Sequence, residues 1–175
     1  MRDDEEITND DYAAEIGDPK LIRELYIKDH FLRIAKEIFN DNDCVNSLVM
    51  CISQYWDDEA GDAVHIKFIP ASFASCFSSW RDLFDRTKNE AIKKCGLDIR
   101  EGYISMYGSF FQKYDIPYLD NNEGMIQAFG PFCKEGSSQE DSHFDCYTPY
   151  AIAIRDEKSP NGIKLNTFDK FLPWM

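Results

Sequence analysis

The sequence predicts an α+β fold: one domain, mainly an antiparallel sheet of about four to six strands with two or three packed helices. Three observations lead there. Apolar residues recur at helical spacing after Asp18, and "AVHIKFI" (63–69) alternates apolar with polar residues as a half-buried strand does. The stretch "TPYAIAIRDEKSPNGIKLNTF" (148–168) then reads as two strands around a Pro-Asn-Gly turn. A chain of 175 residues suits a single core, and no internal repeat, low-complexity tract or Pro/Gly linker divides it.

Taken in order, residues 1–16 are polar and acidic with few apolar residues, which predicts a flexible tail before a domain spanning 17–175. Asp18-Pro19 supplies a capping oxygen and a proline for the first helical position, and Leu21, Ile22, Leu25, Leu32, Ala35, Ile38 and Phe39 follow at helical spacing. This helix is expected to end in "NDND" (40–43), with "KDH" (28–30) marking a kink or a join between two shorter helices. "SLVMCISQYW" (47–56) is continuously apolar and rich in β-branched and aromatic residues, which favours a strand. The next strand, 63–69, places Val64, Ile66 and Phe68 inward, turns His65 and Lys67 to water and closes at Pro70. These two strands predict a hairpin with "DDEAGD" (57–62) as its loop.

Ser79 to Cys95 reads as an amphipathic helix with Trp80, Leu83, Phe84, Ala91 and Ile92 on one side and Gly96 as its stop. Residues 97–120 favour strand but are interrupted by Gly108 and Pro117, and a short helix is expected over 122–134. A strand at 149–155, a turn through Ser159-Pro160-Asn161-Gly162 and a last strand from Ile163 to about Phe168 complete the order.

Charge narrows the function. The net charge is −13; eight acids with one arginine in residues 1–18, and four acids without a base in 57–62, supply −11 of it. Such a surface repels phosphate backbones and anionic lipid, so direct nucleic-acid or membrane binding is not expected, and a basic protein partner is. No leader of the secretory type and no apolar run near the ~20 residues of a membrane span is present, so a soluble, cytoplasmic protein is expected. The six cysteines show no CxxC pair and are expected to be mostly buried thiols.

Several constellations bear on chemistry. Asp57, Asp58, Glu59 and Asp62 are hard oxygen ligands, yet a Ca²⁺ loop counted from Asp57 puts Asp62 where glycine belongs and Phe68 where the bidentate glutamate belongs. A count from Asp120 puts Met125 at the glycine position. Zinc on Cys133, His143 and Cys146 lacks a first close pair, leaving a distant residue such as Cys95 as the fourth ligand. Cys76 with His65 and an acid from 57–62 could form the triad of a small hydrolase, as could a carboxylate pair its site, but no nucleophile elbow, HExxH or phosphate loop accompanies them.

The remaining signal is Tyr55-Trp56 beside Asp57, Asp58, Glu59 and Asp62: an aromatic anchor next to charge that steers association. The sequence therefore predicts a non-enzymatic acidic binding protein, of the immunity or inhibitor kind, occluding a basic protein through these six residues. No metal or cofactor is expected. A small hydrolase and a nucleic-acid mimic, whose carboxylates would form an extended stripe, are the alternatives. The sequence carries no signal of oligomeric state.

Overall fold

A computed structural model of the chain describes residues 18–57, 61–74, 79, 81–83, 85, 119–120, 123–133 and 147–168, with Trp56, Asp57, Leu119, Asp120 and Glu123 by backbone alone. The architecture is α+β: a single antiparallel sheet with helices packed on it. The expected tail, residues 1–16, lies outside the described residues.

Helix α1 (Pro19–Tyr26) starts where its cap chemistry requires. Asp18 is extended, and its carboxylate accepts from the Lys20 backbone N–H at 3.0 Å, while Pro19 occupies a position whose N–H would have no partner. Asp18→Ala is expected to cost about 1 kcal/mol of stability in a urea titration. Asp18→Asn should restore most of that loss, since the amide oxygen caps equally well.

The expected join at 28–30 is a π-helical segment, Ile27–Phe31, leading without a break into α2 (Leu32–Asp41). The π turn has a packing reason. Tyr26 and Phe31 are both fully buried, yet their spacing in an α-helix would send them to different faces; the wider turn brings them round to one. Ile22, Tyr26, Phe31, Ile34, Ala35 and Ile38 thus share one core. Leu21, placed in the apolar stripe by spacing, is instead 41% exposed, because the buried face begins at Ile22. Asn42 ends the helix, its side-chain amide donating to the Ile38 carbonyl at 2.9 Å.

The sheet runs β3-β2-β1-β4-β5, all neighbours antiparallel: β1 (Ser47–Asp57), β2 (Gly61–Ala71), β3 (Leu119–Asp120), β4 (Thr148–Arg155) and β5 (Ile163–Thr167). Four of these strands have five residues or more; β3 has two. Leu48, Met50, Ile52, Val64, Ile66 and Phe68 face the helices, joined by Met125, Ala128 and Phe129 of α3 (Glu123–Phe129) and by Phe132 of the turn that follows it, Gly130–Phe132. The opposite face carries a second core of Val49, Cys51, Tyr55, Ile69, Ile152 and Ile154, with Tyr147 and Leu83.

Cover on both faces overturns one expectation. His65 does not face water; it is 5% exposed, inside the second core's face of the sheet. Nor does Pro70 close its strand, because β2 continues through it to Ala71, with Pro70 opposite Leu48. The missing N–H is tolerated there because β3 borders β2 only at Val64 and His65, leaving no described strand beside Pro70 to require a donor.

The C-terminal hairpin matches its turn chemistry. Asn161 (φ 60) and Gly162 (φ 74) take the left-handed backbone that this pair tolerates. Before them, Asp156 accepts from the Ser159 hydroxyl at 2.8 Å and the Lys158 N–H at 3.1 Å, which holds its carboxyl below the usual range. The helix expected from Ser79 has its start described: the Ser79 hydroxyl accepts from the Asp82 N–H at 3.0 Å, the backbone is helical at 81–83 and 85, and Leu83 is buried. Trp80, Phe84, Ala91, Ile92 and the remainder of that helix lie outside the described residues.

One cross-link joins helix to sheet by polar contacts. From the end of β4, the Arg155 Nη2 donates to the carbonyls of Phe39 (2.8 Å), Asn42 (3.0 Å) and Val45 (2.7 Å), and the guanidinium lies 5.0 Å from the Phe39 ring centre. Two of them, Phe39 in the last turn of α2 and Asn42 at its cap, belong to the carbonyls that a helix end leaves without intrahelical donors, and Val45 lies in the connection to β1. Among the cysteines, Cys51 and Cys133 are buried free thiols, as expected, whereas Cys44, half-buried in the turn before β1, is disulfide-bonded. No described helix is long and apolar enough to cross a membrane.

Candidate functional site

The acidic stretch lies where the sequence predicts it, at the turn of the β1–β2 hairpin. The register is unbroken from Ser47↔Ala71 to Asp57↔Gly61, so the strands join across residues 58–60, and Gly61 (φ 75) takes the left-handed backbone that such a short connection needs. The hairpin also outruns its neighbours. β4 pairs with β1 only from Ser47 to Ile52, and β3 meets β2 only at Val64 and His65, so the segments 53–57 and 61–63 have no further described strand beside them. At ~3.3 Å per residue this end extends roughly 15 Å past the β1–β4 pairing.

On the helix-side face of this end, Gln54 Nε2 donates to the Asp62 carboxylate at 3.1 Å, and Asp62 is exposed. Gln54 fits because Gly130 has no side chain: a Cβ there would fall 2.5 Å from Gln54 Oε1. Trp56 lies opposite Asp62 in the register. The side chains of Trp56 and Asp57, and all of Asp58 and Glu59, lie outside the described residues.

The other face corrects the reading of Tyr55. This residue is 7% exposed and stacked flat on His65, ring centres 3.5 Å apart and planes within 5°. Its hydroxyl is 3.1 Å from that of Tyr147, which is itself buried. Tyr55 is therefore interior and holds the hairpin to the second core; it presents no anchor to a partner. Lys67 completes the row, its ammonium 4.6 Å from the Tyr147 ring centre and its position opposite Cys51. Burial pushes the Cys51 thiol well above its ordinary range, and the positive charge of Lys67 reverses only part of that.

Among the described residues of this row, neither Ser53 nor Cys51 is set up as a nucleophile. Ser53 sits opposite His65 and is fully buried, but its hydroxyl makes no hydrogen bond among the described residues. The His65 ring face is taken by Tyr55, and Cys76, its suggested nucleophile, is outside the described residues. Of the zinc candidates, Cys133 is described, with its thiol donating to the Phe129 carbonyl at 3.4 Å; Cys95, His143 and Cys146 are outside the described residues. Among the described residues, no three His, Cys, Asp or Glu side chains gather as cation ligands.

Sequence reasoning missed Gln54 and Tyr147, and misplaced His65. A signal for the last was present in β1, which is apolar on both faces; a strand of that kind is covered on both sides, and so must be the partner it pairs with in register. No protein-family model, curated protein or solved structure matches this chain.

Proposed function

We propose that this chain is an acidic, non-enzymatic binding protein of the cytoplasm, of the immunity or inhibitor kind, whose β1–β2 hairpin end engages a basic protein partner. The observation that supports it is the extent of the hairpin past its described pairing with β3 and β4, which gathers Asp57, Asp58, Glu59 and Asp62 within six positions at one end of the hairpin. Four carboxylates so close raise the local negative potential, which accelerates encounter with a cationic surface more than it deepens affinity. The Gln54–Asp62 bond fixes one of these carboxylates. The inward stack of Tyr55 on His65 stiffens the base of the arm, so less conformational freedom is lost on docking. Trp56, at the register position facing Asp62, is the aromatic residue left to anchor the contact.

The mechanism is occlusion: the acids pair with lysines and arginines bordering the partner's working surface and cover it. A variant carrying Asp57→Asn, Asp58→Asn, Glu59→Gln and Asp62→Asn keeps the shapes and removes the charge. In affinity capture it should lose a basic protein that the wild type retains. In stopped-flow association with that protein, the on-rate should drop roughly tenfold at low salt and become nearly independent of ionic strength. An unchanged set of captured proteins, or an on-rate with the wild-type salt slope, would refute the role of the hairpin end.

A further inference from the structure

A cation-rich surface lies on α1, apart from the acidic hairpin in the chain. Lys20, Arg23, Glu24, Ile27 and Lys28 follow one another at i, i+3, i+4, i+7 and i+8, the spacing of one helix side. They overhang a cavity of about 370 Å³, walled opposite by Phe132 of the turn after α3, Tyr150 of β4, and Leu165, Thr167 and Phe168 at β5. That volume falls in the range of small-molecule sites.

Its chemistry is two-sided. Among the described lining residues, three cations against one acid give a local charge of +2 in a chain of −13. Arg23 is held in place: Nη1 donates to the Ala128 carbonyl at 2.8 Å and the guanidinium sits 4.7 Å from the Phe132 ring centre. A guanidinium has five N–H donors, so most of its capacity is left for a ligand. Lys20 and Lys28 are exposed and form no ion pair among the described residues, although Glu24 is one turn from each. The apolar wall is rigid. Tyr150 stands edge-on between Phe129 and Phe132, each ring centre 5.3 Å away, and Leu165, 36% exposed, forms the lip.

We propose that this cavity binds a small amphipathic carboxylate, its charged head on Arg23, Lys20 and Lys28 and its apolar or aromatic body against Phe132, Tyr150, Leu165 and Phe168. A monoanionic head suits the local charge of +2, and a planar carboxylate matches the guanidinium fork. A fully hydrophilic anion would leave the aromatic wall uncovered, and a neutral apolar ligand would leave the lysines without a purpose at the rim.

The test is a titration of the full chain, followed by amide chemical shifts, with 3-phenylpropionate, octanoate, neutral 3-phenylpropionamide and 3-phenylpropylammonium. Both carboxylates should saturate and shift residues 20–28, 132, 150 and 165–168, while the amide and the ammonium bind at least roughly tenfold more weakly. Lys20→Glu with Lys28→Glu, both at exposed positions, should weaken the carboxylates by roughly tenfold and leave the amide unchanged. Leu165→Asp should weaken both carboxylates and the amide. Failure of the carboxylates to saturate, equal affinity for the amide, or shifts confined to other residues would overturn the proposal.

Discussion

Replacing Phe31 by alanine is expected to lower the free energy of unfolding by about 4 kcal/mol, the largest loss from a single side chain considered for this fold. Phe31 is fully enclosed, and its ring lies 5.6 Å from that of Phe68, with planes 13° apart. It is also the last residue of the π segment, so it meets the sheet from a point where the helix cannot slide without disturbing both α1 and α2. A hole there is bounded by secondary structure on both sides and collapses poorly, which places the cost in the upper part of the range for such truncations. Phe31→Leu, which keeps most of the volume, should lose about 1.5 kcal/mol. Urea unfolding checks both: the midpoint should fall while the slope stays constant. A loss below about 1 kcal/mol for the alanine variant would mean that the helices close over the gap.

The second large effect is expected at Arg155. Alanine there removes the donor that serves three carbonyls around the end of α2, together with the contact with Phe39. Carbonyls that are partly buried and lose a charged donor cost more than an average hydrogen bond, and a cation at a helix C-terminus also favours the dipole. The expected loss is about 3 kcal/mol. Lysine keeps the charge but lacks a planar fork, so Arg155→Lys should recover less than half. Hydrogen exchange separates the two predictions. Phe31→Ala should speed exchange throughout the domain, whereas Arg155→Ala should act first on the last turn of α2 and on residues 42–46, by local opening.

What could be read from the sequence follows from how local each signal is. Asp18-Pro19 names its helix start because both groups act within one turn, and the Asn161-Gly162 pair names its hairpin because only such residues take that backbone readily. The join at 28–30 was legible as an interruption of polar residues, though not as a π turn. The position of the acidic stretch followed from the two strands flanking it. His65, Tyr55 and Pro70 were misread for a common reason: each depends on what lies beside β2 or over the second face of the sheet, and alternation within one strand holds no information about that. Gln54 and Tyr147 depend on distant partners, Gly130 and Tyr55, brought near by the fold alone. The cavity beside α1 was invisible for a related reason, since its cations lie on one helix and its apolar wall comes from the other end of the chain.

The strand order has a kinetic consequence. β1 is central, and its two partners differ greatly in how soon they arrive: β2 is adjacent in the chain, while β4 must reach β1 across roughly a hundred residues, a closure that is slow in any search of chain conformations. During synthesis α1, α2 and the β1–β2 hairpin emerge first, with one edge of β1 and its second-core face still unclaimed. Sheet completion waits until β4 and β5 have emerged. As long as that edge stays open, mispairing between neighbouring chains competes with the native fold.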